Sequence, residues 1–189
     1  MTTLRRVSFA LDSRVDVRLL WHAEGLDRLL DERHAALVER TIGMLTEVGW
    51  AAAAEVSFGI RGERGSVDIL AIHEATGSLL VVEVKSVVPD LQAMLVALDR
   101  KGRLGREIAR ERGWSATSVS RLLVLPDDRT ARRRVERHAA TFRAALPART
   151  VEVRRWLRHP VGMSHGILFL TNVNQPGSRQ PDGQPIPRT

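Results

Sequence analysis

The chain contains no cysteine, only two lysines and no long apolar run. Without cysteine, disulfides, thiolate metal sites and zinc fingers are excluded. No apolar stretch approaches the roughly 20 residues of a membrane-spanning helix, and the N-terminus is not followed by an apolar core of the signal-peptide type. These absences predict a cytoplasmic protein with no membrane contact.

Lysine occupies only two of the 29 basic positions, Lys85 and Lys101, and arginine fills the others. A compact ammonium group can shift its pKa and take part in proton transfer, whereas a guanidinium group stays protonated. A lysine in this chain therefore indicates a position where side-chain chemistry matters. Two exceptions are also few enough to arise by chance.

With 189 residues and 43% hydrophobic content, the chain can bury one good core, so a single domain with extensions is expected. We predict an N-terminal extension over 1–24, a folded domain over 25–173 and a tail over 174–189. The tail is rich in proline, glycine, glutamine and serine, and this composition is typical of disorder.

Apolar periodicity and turn residues predict the order of elements within these bounds. Helices are predicted near 26–48, 90–112 and 129–146. Strands are predicted near 15–21, 52–60, 66–73, 78–87, 119–125, 150–157 and 166–172. This order gives an α/β fold with a central mixed sheet flanked by helices.

Three charged residues lie within apolar strands, where charges are not expected without a reason: Asp68, Glu83 and Lys85. The turn residues between the two strands predict an antiparallel hairpin. If His73 closes the turn against Ser78, then Asp68 lies opposite Glu83, with Cβ atoms roughly 5 Å apart. Lys85 shares their face, because side chains two apart on a strand point the same way at roughly 6 to 7 Å.

Two carboxylates that face each other between apolar neighbours repel, and their burial is costly. A divalent cation would relieve both effects. Two oxygen ligands suit Mg²⁺, which usually keeps several waters and binds few protein carboxylates. Such an ion polarises a phosphoryl oxygen and lowers the pKa of a bound water, while a nearby ammonium positions that water or stabilises developing negative charge.

Asp68 is followed after fourteen residues by Glu83-Val84-Lys85. With this motif, the chain resembles the PD-(D/E)XK nuclease superfamily over roughly residues 30 to 125. The family often has a proline before the aspartate, where this chain has Val67. The resemblance implies a restriction-endonuclease-like fold, Mg²⁺ or Mn²⁺ held by Asp68 and Glu83, a catalytic Lys85, a DNA substrate and a possible homodimer.

The same resemblance assigns two further residues. An acidic residue on the helix before the sheet often joins the family's site, and Glu39 matches it by position. A glutamine early in the helix after the lysine is frequent in some branches, and Gln92 matches it. Glu55 and Glu63 are close enough in sequence to substitute for Glu39. Segments 62–65 and 98–101 are similar to nuclease-like domains of bacterial proteins that are often labelled regulators.

The charge is divided unevenly along the chain. Residues 1 to 100 hold 11 basic and 15 acidic side chains, and residues 101 to 189 hold 18 and 7, which gives −4 and +11. Arg129, Arg133 and Arg137 recur at four-residue spacing on one face of a predicted helix. Such a face can neutralise a phosphate backbone and release its counterions. The arginines could equally be solvated surface residues.

Two alternative interpretations remain. The protein could be a transcriptional regulator that binds DNA without catalysis, either through an inactive nuclease-like cleft or through the segment 106–123. This segment resembles a helix-turn-helix, with a glycine turn and Ser115 as a possible N-cap. The pair Glu83 and Lys85 could also be an ordinary solvated ion pair on an exposed strand.

Overall fold

The computed structural model describes residues 24–88 and 90–171, and the following elements refer to these residues. The strand predicted near 15–21 and the tail over 174–189 lie outside them. The helices are α1 (Glu24–Glu47), α2 (Leu91–Glu111), α3 (Arg129–Arg137), α4 (Ala139–Ala145) and α5 (Thr150–Arg158). The strands are β1 (Ala51–Ile60), β2 (Glu63–His73), β3 (Ser78–Val84), β4 (Ser118–Pro126) and β5 (His165–Leu170).

The five strands form one mixed sheet in the order β1-β2-β3-β4-β5. The first three strands pair antiparallel through short turns, and β3, β4 and β5 pair parallel through helical crossovers. Helices pack on the sheet, so the predicted α/β class with a mixed sheet flanked by helices is confirmed. None of the described helices is long and apolar enough to cross a membrane.

The central strand β3 is buried along its whole length and separates two cores. On one face, Leu79 and Val81 belong to the core that includes Leu98 of α2. On the other face, Leu80 and Val82 belong to the core that includes Leu37 of α1. We call these the α2 side and the α1 side of the sheet. Because side chains alternate along a strand, Glu83 follows Leu79 and Val81 onto the α2 side.

Helix α2 begins where Asp90 caps it. The Asp90 carboxylate accepts hydrogen bonds from the backbone N–H groups of Gln92 and Ala93, at 2.9 and 3.2 Å. Such a cap satisfies donors that have no partner within the helix. The cap therefore fixes where α2 starts, just after the end of β3.

Two predicted elements and one alternative interpretation differ from the structure, while the strand predicted near 119–125 is confirmed. Residues predicted as a strand near 150–157 form α5, where Val153 and Leu157, four residues apart, are the buried positions. The single helix predicted over 129–146 is divided at His138 into α3 and α4. The helix-turn-helix interpretation of 106–123 is wrong, because Ser118–Pro126 is a sheet strand rather than a second helix.

Candidate active site

The hairpin of β2 and β3 has the register that was predicted from its turn. His73 pairs with Ser78, and the pairing continues to Ile69 with Val82. Asp68 and Glu83 are the next two residues in this register, one step beyond the last paired residues. The predicted juxtaposition of the two carboxylate-bearing positions is therefore confirmed.

At Asp68, backbone pairing is interrupted on the β1 side of β2 and ends on the β3 side. Towards β3 its carboxylate, rather than a backbone carbonyl, accepts the N–H of Val84, with Oδ2 2.7 Å from the nitrogen. Towards β1 the pairing passes from Ala54 to Val56 and omits Glu55, whose φ of 48° is in the left-handed region. The register is the same on both sides of this interruption, so Glu55 and Asp68 stand opposite each other without being paired.

The Lys85 ammonium lies close to both carboxylates. Its Nζ atom is 2.6 Å from Glu83 Oε1 and 4.0 Å from Asp68 Oδ2. The Glu83 side chain is only 5% exposed, and the side chains of Asp68 and Lys85 are 17% and 29% exposed. The structure thus brings the three predicted groups together, and their burial shows that Glu83 and Lys85 are not an ordinary solvated ion pair.

Lys101 is a fourth member of this cluster that the sequence interpretation did not place there. Its Nζ atom is 2.5 Å from Glu83 Oε2, and its side chain is 10% exposed. Lys101 lies among the buried residues of α2, three positions after Leu98 and seven before Ile108. A lysine at helical spacing within an apolar stripe was the signal that could have identified it.

The ionisation of Asp68 is disfavoured by its surroundings. Burial raises the pKa of Asp68 above its ordinary value, and the negative charge of Glu83 raises it further. The Val84 hydrogen bond and the two lysines oppose the rise without cancelling it. A buried carboxyl group with a raised pKa, next to a second acid, is typical of a functional site.

The donor chemistry of the cluster fits a hard divalent cation. Asp68 and Glu83 offer carboxylate oxygens, the ligands that Mg²⁺ prefers, and a two-carboxylate site is common because this ion keeps several waters. Within residues 24–88 and 90–171, no group of three or more histidine, cysteine, aspartate or glutamate side chains could hold a metal ion. A cation at this cluster would therefore depend on two protein carboxylates, and it would need one Glu83 oxygen that a lysine now contacts.

No family model matches this chain, and no curated protein matches it. The function of the cluster is inferred from its charges, distances and burial. These observations also decide how the other predicted site residues are interpreted.

Glu39 is not brought into the cluster. It is an exposed residue of α1, and α1 packs on the side of β3 opposite to Glu83. Together with Glu55 it lines a groove of about 660 Å³ between α1 and β1. The other suggested substitute, Glu63, lies 3.8 Å from the Arg100 side chain instead.

Gln92 is an exposed residue in the first turn of α2. Its backbone N–H is bound by the Asp90 cap, and no described contact joins its side chain to Asp68, Glu83 or Lys85. Gln92 therefore lies on the helix that supplies Lys101, nine positions earlier, without belonging to the charged cluster.

The three predicted arginines lie on α3, and all are exposed. Helix α3 follows β4, which runs parallel to β3, so α3 starts at the sheet edge where Lys85 lies. Its buried residues Ala131 and Val135 belong to the α2-side core, the side that also holds Glu83. Helix α3 therefore lies at the same end of the parallel strands and on the same face of the sheet as the cluster. It carries Arg129, Arg133 and Arg137.

Arg132 is a basic residue at the same edge that the sequence interpretation missed. Its guanidinium group lies 2.5 Å from Asp127 and 4.6 Å from the centre of the Phe169 ring. The hydrogen bond from Arg132 holds the pKa of Asp127 below its usual value. The ion pair and the ring contact therefore orient this arginine at the start of α3.

Proposed function

We propose that the protein is a metal-dependent phosphodiesterase of the nuclease type, with a restriction-endonuclease-like fold and DNA as its substrate. The observation that carries this proposal is the convergence of Asp68, Glu83 and Lys85 at a break in the sheet. Three ionisable groups in an otherwise apolar sheet interior are costly for stability, and a catalytic role would explain their presence.

Asp68 and Glu83 would hold the cation, Mg²⁺ or Mn²⁺, through their carboxylate oxygens. When bound, such an ion polarises a phosphoryl oxygen and lowers the pKa of a water. The Lys85 side chain is more exposed than that of Lys101, so Lys85 can reach a substrate phosphate, where it would position the attacking water or stabilise developing negative charge.

The charge distribution supports nucleic acid as the substrate. The basic second half of the chain carries α3, which starts at the edge of the sheet where Lys85 lies. Exposed arginines at four-residue spacing suit the repeating negative charge of a phosphate backbone. Arg129, Arg133 and Arg137 would bind this backbone and orient it towards the cluster.

One observation favours a second function, a nuclease-like cleft that binds DNA without cutting it. Lys85 and Lys101 contact the two oxygens of Glu83, so the formal charges of Asp68, Glu83 and the two lysines sum to zero. The cluster is therefore charge-compensated without a metal ion. In a non-catalytic regulator, this compensation would stabilise the fold and the arginines alone would bind DNA.

A cleavage assay separates the two functions. The wild type, Asp68→Asn and Lys85→Met are incubated with plasmid and linear DNA in Mg²⁺ or Mn²⁺. The catalytic proposal expects cleavage by the wild type and a loss of about 100-fold or more in each variant. Glu74→Gln is the matched control, because Glu74 is an exposed carboxylate in the turn of the same hairpin.

The other outcomes are equally informative. Binding of DNA that weakens with salt, without cleavage in either metal, would support the non-catalytic function. Cleavage that persists in both Asp68→Asn and Lys85→Met would contradict the proposed site. Neither cleavage nor binding would contradict both functions.

A further inference from the structure

The only two lysines of the chain contact the same carboxylate. Lys85 Nζ lies 2.6 Å from Glu83 Oε1, and Lys101 Nζ lies 2.5 Å from Glu83 Oε2. The other 27 basic residues are arginines. Both lysines therefore contact the Glu83 carboxylate, although they come from different elements and are sixteen residues apart.

The two ammonium groups differ in their access to water. Lys101 belongs to the packed face of α2, with Leu98 and Gly105 as buried neighbours in the same stripe, and its side chain is 10% exposed. Lys85 follows the end of β3, where its backbone N–H is fixed by the Val124 carbonyl, and its side chain is 29% exposed.

We infer that Lys101 is a positioning residue that stays on Glu83 Oε2, while Lys85 leaves Glu83 Oε1 when a divalent cation binds at Asp68 and Glu83. The inference rests on the proposed metal site. It assigns the two lysines different tasks: Lys101 keeps the carboxylate oriented, and Lys85 becomes free to contact the substrate phosphate.

Electrostatics favour the movement of one lysine. Both Glu83 oxygens are in contact with an ammonium group, so a cation that binds the carboxylate approaches one of these groups closely. Each carboxylate oxygen has two lone-pair sites, but an ammonium group and a divalent cation on the same oxygen repel each other strongly.

Desolvation decides which lysine moves. Release of Lys101 would leave an ammonium group without its partner among the side chains of α2 and the sheet, and an unpaired buried charge is costly. Lys85 has more water around it and can turn outward from the end of β3 at a lower cost. It would then point away from Glu83.

The scarcity of lysine makes the test direct. Protein grown with ¹³C-labelled lysine gives only two Cε resonances from its side chains by NMR, and a Lys85→Arg sample assigns them. Wild-type protein is titrated with MgCl₂ at constant pH and constant ionic strength. Binding of Mg²⁺ is measured on the same sample by calorimetry, with Asp68→Asn as the control that lacks one ligand.

The expected result is a saturable shift of the Lys85 resonance that follows the calorimetric binding curve, with a shift of Lys101 several-fold smaller. Asp68→Asn should show neither the heat nor the shift. Binding of Mg²⁺ with Lys101 shifting as much as Lys85, or with both resonances unchanged, would overturn this inference alone. An absence of Mg²⁺ and Mn²⁺ binding in calorimetry would instead overturn the proposed metal site, and this inference with it.

Discussion

Asp68 combines a raised pKa with a position at a break in the sheet. Burial and the charge of Glu83 disfavour its ionised form, so in the folded state it holds its proton at pH values where an unfolded aspartate has lost it. Between the ordinary value of 3.8 and the higher folded pKa, the folded state binds more protons than the unfolded state. The free energy of unfolding therefore falls as the pH rises through this window.

Asp68→Asn should remove this pH-dependent penalty and stabilise the protein. The asparagine keeps an oxygen that can accept the N–H of Val84, and it has no charge to desolvate. At about pH 7 we expect the free energy of unfolding to increase by about 1 kcal/mol, a gain typical of neutralised functional residues. Urea unfolding at about pH 7 and below pH 3.8 tests this, since the gain should disappear at the lower pH.

The matched control is Asp31→Asn, at an exposed position on α1, which should change the free energy of unfolding little. An Asp68→Asn variant that is less stable than the wild type at neutral pH would contradict the account.

Lys101→Met should destabilise the protein, even though methionine suits the apolar stripe of α2. The substitution leaves Glu83 buried with Lys85 as its remaining cation, and removing one partner of a buried ion pair costs up to about 3 kcal/mol. Combining Lys101→Met with Glu83→Gln should recover much of the loss, because the unbalanced charge is also removed. Arg103→Met, an exposed cation on the same helix, should cost less than about 1 kcal/mol. Equal stability of Lys101→Met and wild type in urea unfolding would show that the pair contributes nothing.

The residues that sequence placed correctly are those set by local geometry. The turn between β2 and β3 determines the register, and the register places Asp68 next to Glu83 and Lys85. Lys101 was missed because its partner is eighteen residues away and belongs to another element. Glu39 was assigned by its position in a family pattern, and such a pattern does not show on which side of the sheet its helix packs.

At the scale of elements, the same limit explains the errors. The strand predicted near 119–125 is confirmed by its pairing with β3 and β5, and only the alternative of a second helix, which the glycine turn after α2 suggested, is wrong. For α5, the alternation of valine and charged residues suggested a strand. In the structure, Val153 and Leu157 are buried at the four-residue spacing of a helix. Val151, which strand alternation would place on the same face as Val153, is 69% exposed.

The glycines of α2 are explained by its close contact with the sheet. A Cβ atom at Gly105 would lie 3.1 Å from methyl carbons of both Val81 and Val119. The Val81 side chain is fully buried in the sheet and has little room to move. Gly102 and Gly105 therefore allow α2 to approach β3 and β4, and the approach brings Lys101 to Glu83.

Gly105→Ala and Gly43→Ala should have opposite effects. Both glycines lie within helices, but a Cβ at Gly43 meets no atom within 4 Å. We expect Gly43→Ala to stabilise the protein by up to about 1 kcal/mol, because the unfolded chain loses conformational freedom. Gly105→Ala should destabilise it by about 1 to 3 kcal/mol through overpacking. Thermal unfolding of both variants measures the contrast, and a stabilised Gly105→Ala would show that α2 does not pack as closely as described.

At the scale of the whole molecule, sequence patterns identified the central sheet and its flanking helices. The antiparallel hairpin of β2 and β3 followed from the turn between them, whereas the other strand pairings were not predicted. The sequence could not show that the carboxyl ends of β3 and β4 bring the charged cluster and α3 to one edge. That proximity depends on strand order and is a property of the complete fold.

The proximity of α3 to the cluster predicts a specific salt dependence of DNA binding. Each arginine that neutralises a phosphate contributes about 0.9 to the slope of log binding constant against log salt concentration. Replacing Arg133 and Arg137 by alanine should reduce the slope by up to about 1.8. Arg33→Ala with Arg40→Ala, two exposed arginines on α1, is the matched control and should leave the slope unchanged. An equal reduction in both double variants would show that binding depends on overall charge and not on α3.

The account depends most on a divalent cation at the break between β2 and β3. A crystal soaked in MnCl₂ and measured at a wavelength where manganese scatters anomalously tests this directly. The account predicts one strong anomalous peak in coordination contact with Asp68 and Glu83, which is lost in Asp68→Asn. A peak elsewhere in the protein, or none at saturating Mn²⁺ while Lys85 and Lys101 both remain on Glu83, would contradict it.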